Sequence, residues 1–163
     1  MSNPVDHVMD ASLDLVIERT MDAPAHLVWK ALTTPALMEQ WFAPRPCTTS
    51  DVVLDLRPGG QISFKMQCPD GLVFEEEPGC VLEVIEGKKF VWTSTLGPGY
   101  RPRKDDFLFT AVLTVEAVGD KTHYRALMIH GDIETRTKHM EIGFHEGWGV
   151  TTAQLEEVAI SLK

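Results

Sequence analysis

The amino-acid sequence predicts an α+β fold in which a curved antiparallel sheet of about seven strands wraps around a long C-terminal helix. The segments follow the order strand, two short helices, six strands and terminal helix, which is typical of helices packed on one side of an antiparallel sheet. One predicted sheet face is also too rich in large apolar side chains to lie in water, and only the terminal helix is long enough to cover it. Those side chains are Phe64, Met66, Trp92, Phe109, Tyr124 and Met128.

The N-terminal third is expected to hold one strand and two short helices. The run Leu-Asp-Leu-Val-Ile-Glu-Arg-Thr at 13–20 is rich in β-forming residues and predicts the first strand. Pro24 suits the first turn of a helix, where a missing N–H costs nothing, so a helix is expected at about 24–32. Thr34-Pro35 repeats this start signal for a second short helix, which ends near Trp41.

Six further strands are expected to form an antiparallel meander. Residues 60–67 alternate between apolar and polar side chains, as a strand with one buried face does. Short segments rich in glycine, proline and acidic residues separate the strands, at the lengths of hairpin loops. The strands are predicted at 52–56, 60–67, 81–85, 89–95, 107–117 and 121–130, with 72–77 leading into the third.

The C-terminal segment predicts an amphipathic helix with three glycines, Gly143, Gly147 and Gly149. Each glycine inside a helix costs roughly 1 kcal/mol relative to alanine, so these three require a compensating gain. We expect Gly143 and Gly147 either to abut the sheet or to open a hollow beside the helix; the alternative is that the glycines lie in a loop. The apolar positions that recur in steps of three and four are Met140, Phe144, Trp148, Thr151, Leu155, Val158 and Leu162.

Composition narrows the classes of function. The chain has 163 residues, of which 44% are hydrophobic, and this suits one domain at 13–163 after a flexible N-terminal arm at 1–12. A net charge of −9 argues against nucleic acid or an anionic membrane as a partner. The sequence contains neither a long apolar run nor a secretory leader pattern, so we expect a cytoplasmic location.

Neither a metal nor a cofactor is expected. The three cysteines, Cys47, Cys68 and Cys80, are odd in number and lack paired short spacing, so unpaired thiols are predicted rather than disulfides or a zinc site. The pair His145-Glu146 begins like a zinc-protease helix but lacks the second histidine. The segment 147–149 lacks the third glycine and the preceding strand of a dinucleotide-binding motif.

Four motifs in a fixed order resemble the START/Bet v 1-like superfamily, and within it the branch named after the activator of Hsp90 ATPase homologue 1. They are Ala-Pro-Ala-x-x-Val-Trp-x-Ala-Leu-Thr at 23–33, Trp-Phe-Ala-Pro at 41–44, Asp-Leu-Arg-Pro-Gly-Gly at 55–60, and Gly-Trp at 147–148. The resemblance spans 13–162 and implies a helix-grip fold with a hydrophobic cavity between the sheet and the terminal helix. The superfamily includes lipid and hormone carriers, polyketide cyclases and chaperone-associated domains, so the resemblance leaves the function open.

We interpret the protein first as a binder of a small hydrophobic or aromatic ligand in such a cavity. His130 and Tyr124 are the candidates for catalysis if the cavity instead belongs to a cyclase or hydrolase, although either could simply be a core residue. A chaperone-partner module is the third interpretation, which the family name alone suggests. The candidate ligand-binding residues are Trp41, Phe42, Phe64, Met66, Trp92, Phe109, Tyr124, Met128, His130, Phe144, Gly147 and Trp148.

Two further surfaces have candidate roles. Arg101 and Arg103 lie in a loop between strands, where they could hold the carboxylate or phosphate of a ligand at the cavity mouth, or simply keep the loop soluble. The sheet face opposite the cavity is more apolar than a solvated face usually is, which predicts a possible homodimer. Its residues are Val91, Thr93, Leu108, Thr110, Val112, Leu127 and Ile129.

Overall fold

The computed structural model describes residues 7–75, 77–105 and 107–163, and it confirms the α+β fold with a strongly curled antiparallel sheet. Residues 1–6 of the predicted arm lie outside the described part of the chain. The helices are α1 (Ala25–Thr33), α2 (Pro35–Met38), α3 (Ile133–Glu141) and α4 (Phe144–Ser161). The strands are β1 (Asp14–Met21), β2 (Thr48–Leu54), β3 (Gln61–Gln67), β4 (Val73–Glu75), β5 (Gly79–Ile85), β6 (Lys89–Thr93), β7 (Leu96–Gly97), β8 (Arg101–Pro102), β9 (Phe109–Val118) and β10 (Lys121–His130).

The main sheet has the strand order β1-β10-β9-β6-β5-β3-β2, and β4 pairs with β3. Its two edges, β1 and β2, are consecutive strands in the chain, so the segment that joins them must cross the sheet. Helices α1 and α2 form that connection, and α1 contacts β9 and β10 on its way. The strands β7 and β8 form a separate two-stranded ribbon.

Alternation along the central strands fills the core. On β9, the buried residues Phe109, Ala111, Leu113 and Val115 share one face and belong to the main hydrophobic cluster. The cluster also contains Phe144, Leu155 and Val158 of α4, so the long helix packs against the concave face of the sheet. Within the described residues, no helix combines the length and the apolar character needed to cross a membrane.

The predicted single terminal helix is in fact two helices. Gly143 lies between α3 and α4 with a φ of +94°, a left-handed conformation that glycine adopts without strain. The chain therefore changes direction there, and Met140 ends up 45% exposed on α3 instead of continuing the apolar face of α4. The interpretation of a glycine in a loop holds for Gly143, whereas Gly147 and Gly149 lie inside α4.

The prediction of three unpaired cysteines is wrong for two of them. Cys47 and Cys68 form a disulfide, with their Cα atoms 4.1 Å apart. The strand β2 begins at Thr48, several residues earlier than predicted, and Thr48 pairs with Gln67 of β3. This register places the two cysteines opposite each other at the end of the hairpin, a proximity that their sequence separation of 21 does not reveal. Cys80 is free and buried.

The convex face of the sheet, where a homodimer is predicted, is partly covered within one chain. Val91, Val112 and Leu127 are each at most 3% exposed and form a small second cluster. Met9, from the segment before β1, packs against this cluster. The homodimer stays a prediction, since a single chain does not test it.

Candidate functional site

A cavity of about 270 Å³ lies between the concave face of the sheet, the helices α3 and α4, and the segment after α2. Phe74 and Ile142 border it while remaining 46% and 67% exposed, so they mark the mouth. Nine of the residues predicted to bind a ligand line it. They are Trp41, Phe42, Phe64, Met66, Trp92, Phe109, Phe144, Gly147 and Trp148.

Aromatic rings form a continuous arc around the cavity, each touching the next. The tilted and edge-on geometries of these contacts suit the quadrupoles of the rings. The centroid distances are 5.5 Å for Trp92–Phe109, 4.9 Å for Phe109–His139, 5.0 Å for His139–Phe144, 6.0 Å for Phe144–Trp148, 6.4 Å for Trp148–Phe42 and 4.6 Å for Phe42–Phe64. The wall is therefore preorganised for a flat apolar molecule.

The segment after α2 is held at one end of the cavity by Gln154 of α4. The side-chain amide of Gln154 donates hydrogen bonds to the carbonyl oxygens of Trp41 and Ala43, at 2.9 and 2.8 Å. Its Oε1 accepts one from the N–H of Arg45 at 3.1 Å. Trp41 is fixed further because its indole N–H donates to the carbonyl oxygen of Ala31 at 2.9 Å. These bonds fix the backbone on both sides of Phe42.

Gly147 leaves space beside α4 for the cavity and does not serve for a close approach of the sheet. A Cβ built on Gly147 would have no atom within 4 Å, apart from its own helix backbone and chain neighbours, and the residue lines the cavity. The second of the two predicted roles for this glycine is therefore the one that the structure displays. Gly149 differs, since its Cβ would meet the Ile17 side chain of β1 at 3.8 Å, an ordinary van der Waals contact.

A buried histidine pair stands at the α3 side of the cavity. Nδ1 of His130 lies 2.8 Å from the carbonyl oxygen of Leu13, and Nε2 of His130 lies 2.9 Å from Nδ1 of His139. The two side chains are 3% and 4% exposed. Burial lowers the pKa of His130, and burial together with the neighbouring His130 lowers the pKa of His139 to about 4. Both rings are therefore neutral at pH 7.

Three residues predicted to line the cavity lie elsewhere. Tyr124 and Met128 are fully buried in the main cluster, and His130 stands behind His139. The hydroxyl of Tyr124 has no hydrogen-bond partner among the described residues, and burial raises its pKa. The prediction placed the whole alternating face of β10 in the cavity, but α1 and α3 pack against that strand. Tyr124 is therefore out of reach of a molecule in the cavity.

The two arginines predicted at the mouth do not border the cavity. The guanidinium of Arg103 donates to the carbonyl oxygens of Glu77 and Ser94 at 3.2 and 3.0 Å, and it lies 3.6 Å from the carboxylate of Asp105. Arg103 therefore ties together the loops around the β7–β8 ribbon. Arg101 is exposed on β8.

Seven of the described lining residues were outside the predicted ligand-binding set, and His139 is the most consequential among them. Its position in a polar helix gave no apolar signal, and the break at Gly143 is what turns α3 back over the cavity. Among the described residues, no group of three histidine, cysteine or acidic side chains could hold a metal ion. The lining residues outside the predicted ligand-binding set are Pro44, Phe74, Phe107, His139, Ile142, Gly143 and Thr151. Of these, Gly143 was expected to abut the sheet or to open a hollow beside the helix.

Comparison with known proteins agrees with this architecture. A crystal structure of a protein from Nitrosomonas europaea is 43% identical, with a TM-score of 0.89, over 94% of this chain and 97% of that one. A crystal structure of a Mycobacterium smegmatis protein is 24% identical, with a TM-score of 0.77, over 96% and 95% of the two chains. An identity of 24% shows only that the two proteins share the fold. No curated protein matches the chain.

A family model confirms the resemblance seen in the motifs. The model described as activator of Hsp90 ATPase homolog 1-like protein matches residues 22–159, which is most of the chain. The matched region includes both the aromatic arc and the histidine pair. The chain belongs to the activator of Hsp90 ATPase homolog 1-like family.

Proposed function

We propose that this protein binds a small aromatic or hydrophobic molecule in the cavity between the sheet and α4. The observation that carries the proposal is the arc of touching aromatic rings, which encloses about 270 Å³ and opens through Phe74 and Ile142. Ligand sites in proteins are typically concave and apolar with a few polar groups, and this cavity has that character. Helix α4 also keeps a glycine at position 147, which leaves room where a side chain would stand.

The volume limits the size of the ligand. An engineered cavity of about 150 Å³ takes one benzene molecule, so a cavity of about 270 Å³ suits a ligand of one or two rings. A full lipid chain or a sterol is larger than this space. The proposed ligand is therefore a small, flat molecule.

The enzymatic interpretation receives less support from the geometry. The hydroxyl of Tyr124 is buried away from the cavity, and His130 is separated from it by His139. Of the described lining residues, His139 alone is ionisable, so this described part of the wall offers no acid and base in tandem. The family name connects some relatives with Hsp90, and stimulation of an Hsp90 ATPase is the outcome that would favour a chaperone-partner role.

The test uses naphthalene, a two-ring probe. We expect the purified protein to bind naphthalene with a change in tryptophan fluorescence, because Trp41, Trp92 and Trp148 all line the cavity. Phe109→Leu should weaken binding about two- to tenfold, the loss of one aromatic contact. Native mass spectrometry of the protein as purified would reveal a resident ligand directly.

A matched control separates cavity effects from general stability effects. Phe90 is buried like Phe109 and belongs to the same cluster, but it does not line the cavity. Phe90→Leu should lower the melting temperature and leave the naphthalene Kd unchanged. Absence of naphthalene binding to the wild-type protein, or equal weakening by both substitutions, would contradict the proposal. Hydrolysis of 2-naphthyl acetate that His139→Phe abolishes would favour an enzyme.

A further inference from the structure

The hydrogen bonds of the histidine pair determine which nitrogens carry protons. The carbonyl oxygen of Leu13 can only accept, so Nδ1 of His130 must donate to it. A neutral His130 then has a bare Nε2, which can only accept. Nδ1 of His139, 2.9 Å away, must therefore be the donor in the second bond. The chain of donation runs from His139 to His130 to Leu13.

This order leaves Nε2 of His139 as a bare hydrogen-bond acceptor. The nitrogen lies on the far side of the ring from the bond to His130, and no residue in the described part of the chain bonds to it. The ring borders the cavity and packs between Phe107, Phe109 and Phe144, at centroid distances of 5.0, 4.9 and 5.0 Å. These three rings and the bond to His130 keep the imidazole from turning over.

Among the described wall residues, His139 provides the one imidazole acceptor and Thr151 the one side-chain hydroxyl. The hydroxyl of Thr151 donates to the carbonyl oxygen of Trp148 at 3.2 Å, and its oxygen can also accept a hydrogen bond. The indole N–H of Trp92 has no partner among the described residues, but it can only donate, and protein atoms cover it. None of the described lining residues carries a formal charge when His139 is neutral.

We propose that the cavity selects aromatic molecules that carry a hydroxyl group, and that the hydroxyl donates a hydrogen bond to Nε2 of His139. This inference rests on the proposed function and names the chemical class of its ligand. A phenol-type ligand of one or two rings satisfies the size, the aromatic wall and the bare imidazole nitrogen together. An ether or a ketone presents only lone pairs to Nε2 and leaves it unpaired. An ionised carboxylate enters an apolar wall with no cation to compensate its charge.

His139 is then the ligand-contacting residue and His130 a positioning residue. In water a neutral histidine interconverts between its two tautomers, and only the tautomer protonated at Nδ1 offers a bare Nε2. The acceptor at Nε2 of His130 selects that tautomer at His139 before any ligand arrives. The backbone carbonyl of Leu13 anchors the whole arrangement.

The first test compares three probes that differ in one group: 2-naphthol, 2-methoxynaphthalene and naphthalene. The measurement is the Kd of each for the wild-type protein and for His139→Phe, which keeps a ring of similar shape but removes the acceptor. We expect the ratio of the naphthalene Kd to the 2-naphthol Kd to fall about tenfold in His139→Phe, the effect of one neutral hydrogen bond. The hydration free energies of the probes cancel, because the same two probes are compared in both proteins. The wild-type protein should bind 2-methoxynaphthalene more weakly than 2-naphthol.

The second test reads the tautomers directly and needs no ligand. Nitrogen-15 chemical shifts of labelled histidine at pH 7.5 should show His139 protonated at Nδ1 and bare at Nε2. In His130→Leu the same spectrum should show His139 shifted toward the tautomer protonated at Nε2, and the preference for 2-naphthol should decrease. A role of His130 in packing alone would leave the His139 tautomer unchanged.

The outcomes separate the two proposals. If none of the probes binds, the proposed function fails. If naphthalene binds but the Kd ratio is the same in wild type and His139→Phe, the proposed function stands and the selection for a hydroxyl is wrong. A wild-type His139 protonated at Nε2 also overturns the inference. Because His139→Phe leaves His130 without its partner, the double variant His130→Leu/His139→Phe serves if the single variant folds poorly, with the same expected loss of preference.

Discussion

At the scale of single residues, Gly147 sets the volume of the cavity. A leucine at this position has space on the cavity side, since a Cβ there meets no atom outside its own helix within 4 Å. Gly147→Leu should therefore abolish naphthalene binding without destabilising the fold. The substitution also removes the helix penalty of glycine, so the free energy of unfolding should rise by up to about 1 kcal/mol. Isothermal titration and chemical denaturation measure the two effects.

Gly149→Ala is the matched control for this substitution. It removes the same kind of helix penalty two residues away, its new methyl group lies at ordinary contact distance from Ile17, and it does not border the cavity. Naphthalene binding should stay at the wild-type level. A Gly147→Leu protein that still binds naphthalene with wild-type affinity would show that the probe occupies another place.

The histidine pair makes stability depend on pH in a defined window. An unfolded histidine titrates near pH 6.5, whereas burial lowers the pKa of His139 to about 4 and lowers that of His130. Between these values the unfolded chain binds protons that the folded chain does not. Stability is therefore fully present above pH 6.5 and decreases as the pH falls toward 4, by at most about 1.4 kcal/mol per pH unit for each proton.

Denaturant titrations at intervals between pH 7.5 and 4 measure this dependence. In His130→Leu/His139→Phe the slope between pH 6.5 and 4 should be smaller than in the wild type. The exposed carboxylates with lowered pKa values, such as Asp22 and Asp132, act mainly below about pH 5, and both proteins contain them. An unchanged slope in the double variant would mean that other groups cause the pH dependence.

At the scale of secondary-structure elements, Gln154 joins α4 to the segment after α2. Replacing it with leucine leaves three backbone groups without their partners, the carbonyls of Trp41 and Ala43 and the N–H of Arg45. Because Gln154 is 4% exposed, water does not readily replace these bonds. Gln154→Leu should lower the free energy of unfolding by about 2–4 kcal/mol, as measured by urea denaturation.

Glu157→Gln controls for the charge contacts of the same helix. Glu157 pairs with Arg45 at 2.8 Å, but both side chains are more than half exposed. An ion pair in that environment contributes little, so stability should change by less than about 0.5 kcal/mol. If Gln154→Leu changed the free energy of unfolding as little as this control, the hydrogen bonds of Gln154 to the segment after α2 would contribute little to stability.

The disulfide between Cys47 and Cys68 closes the hairpin of β2 and β3, which carries the cavity residues Phe64 and Met66. Restricting a loop of this length in the unfolded chain is worth at most about 3 kcal/mol. Reduction with dithiothreitol should therefore lower the denaturation midpoint while the protein stays folded. Cys47→Ser/Cys68→Ser should show the same midpoint with and without the reductant. A midpoint that reduction leaves unchanged would contradict this prediction.

The same bond bears on the predicted cytoplasmic location. Cytoplasmic thiols are normally kept reduced, so a disulfide between Cys47 and Cys68 is unusual for a protein of that location. Alkylation of free thiols in intact cells before lysis shows whether Cys47 and Cys68 are reduced or disulfide-bonded in the cell. Only the reduced form takes up two alkyl groups in addition to the one on Cys80.

At the scale of the whole molecule, more of the architecture than of the cavity wall could be predicted from the sequence. Alternation in β3, β9 and β10 and the family motifs were enough for the curled sheet and its helix, because these signals are local or repeated. Of the nine predicted residues that line the cavity, seven followed from strand alternation or helical spacing, whereas Trp41 and Phe42 were placed at one end of the cavity without such a pattern. The place of His139 in the wall and the disulfide of Cys47 were not predicted. The first depends on the change of chain direction at Gly143, and the second on the register of β2 against β3. Neither feature has a periodic signal.

The sheet order also has a kinetic consequence. Among the described strands, the edge strand β1 pairs with β10 alone, and Asp14 lies opposite Ile129. The first strand to be synthesised therefore has the last strand as its partner. At about 5–20 residues per second, a ribosome needs on the order of ten seconds to supply that partner. The hairpins from β2 to β6 have local partners and can form earlier. A nascent chain therefore carries its first strand unpaired through most of its synthesis, and the two ends complete the fold together.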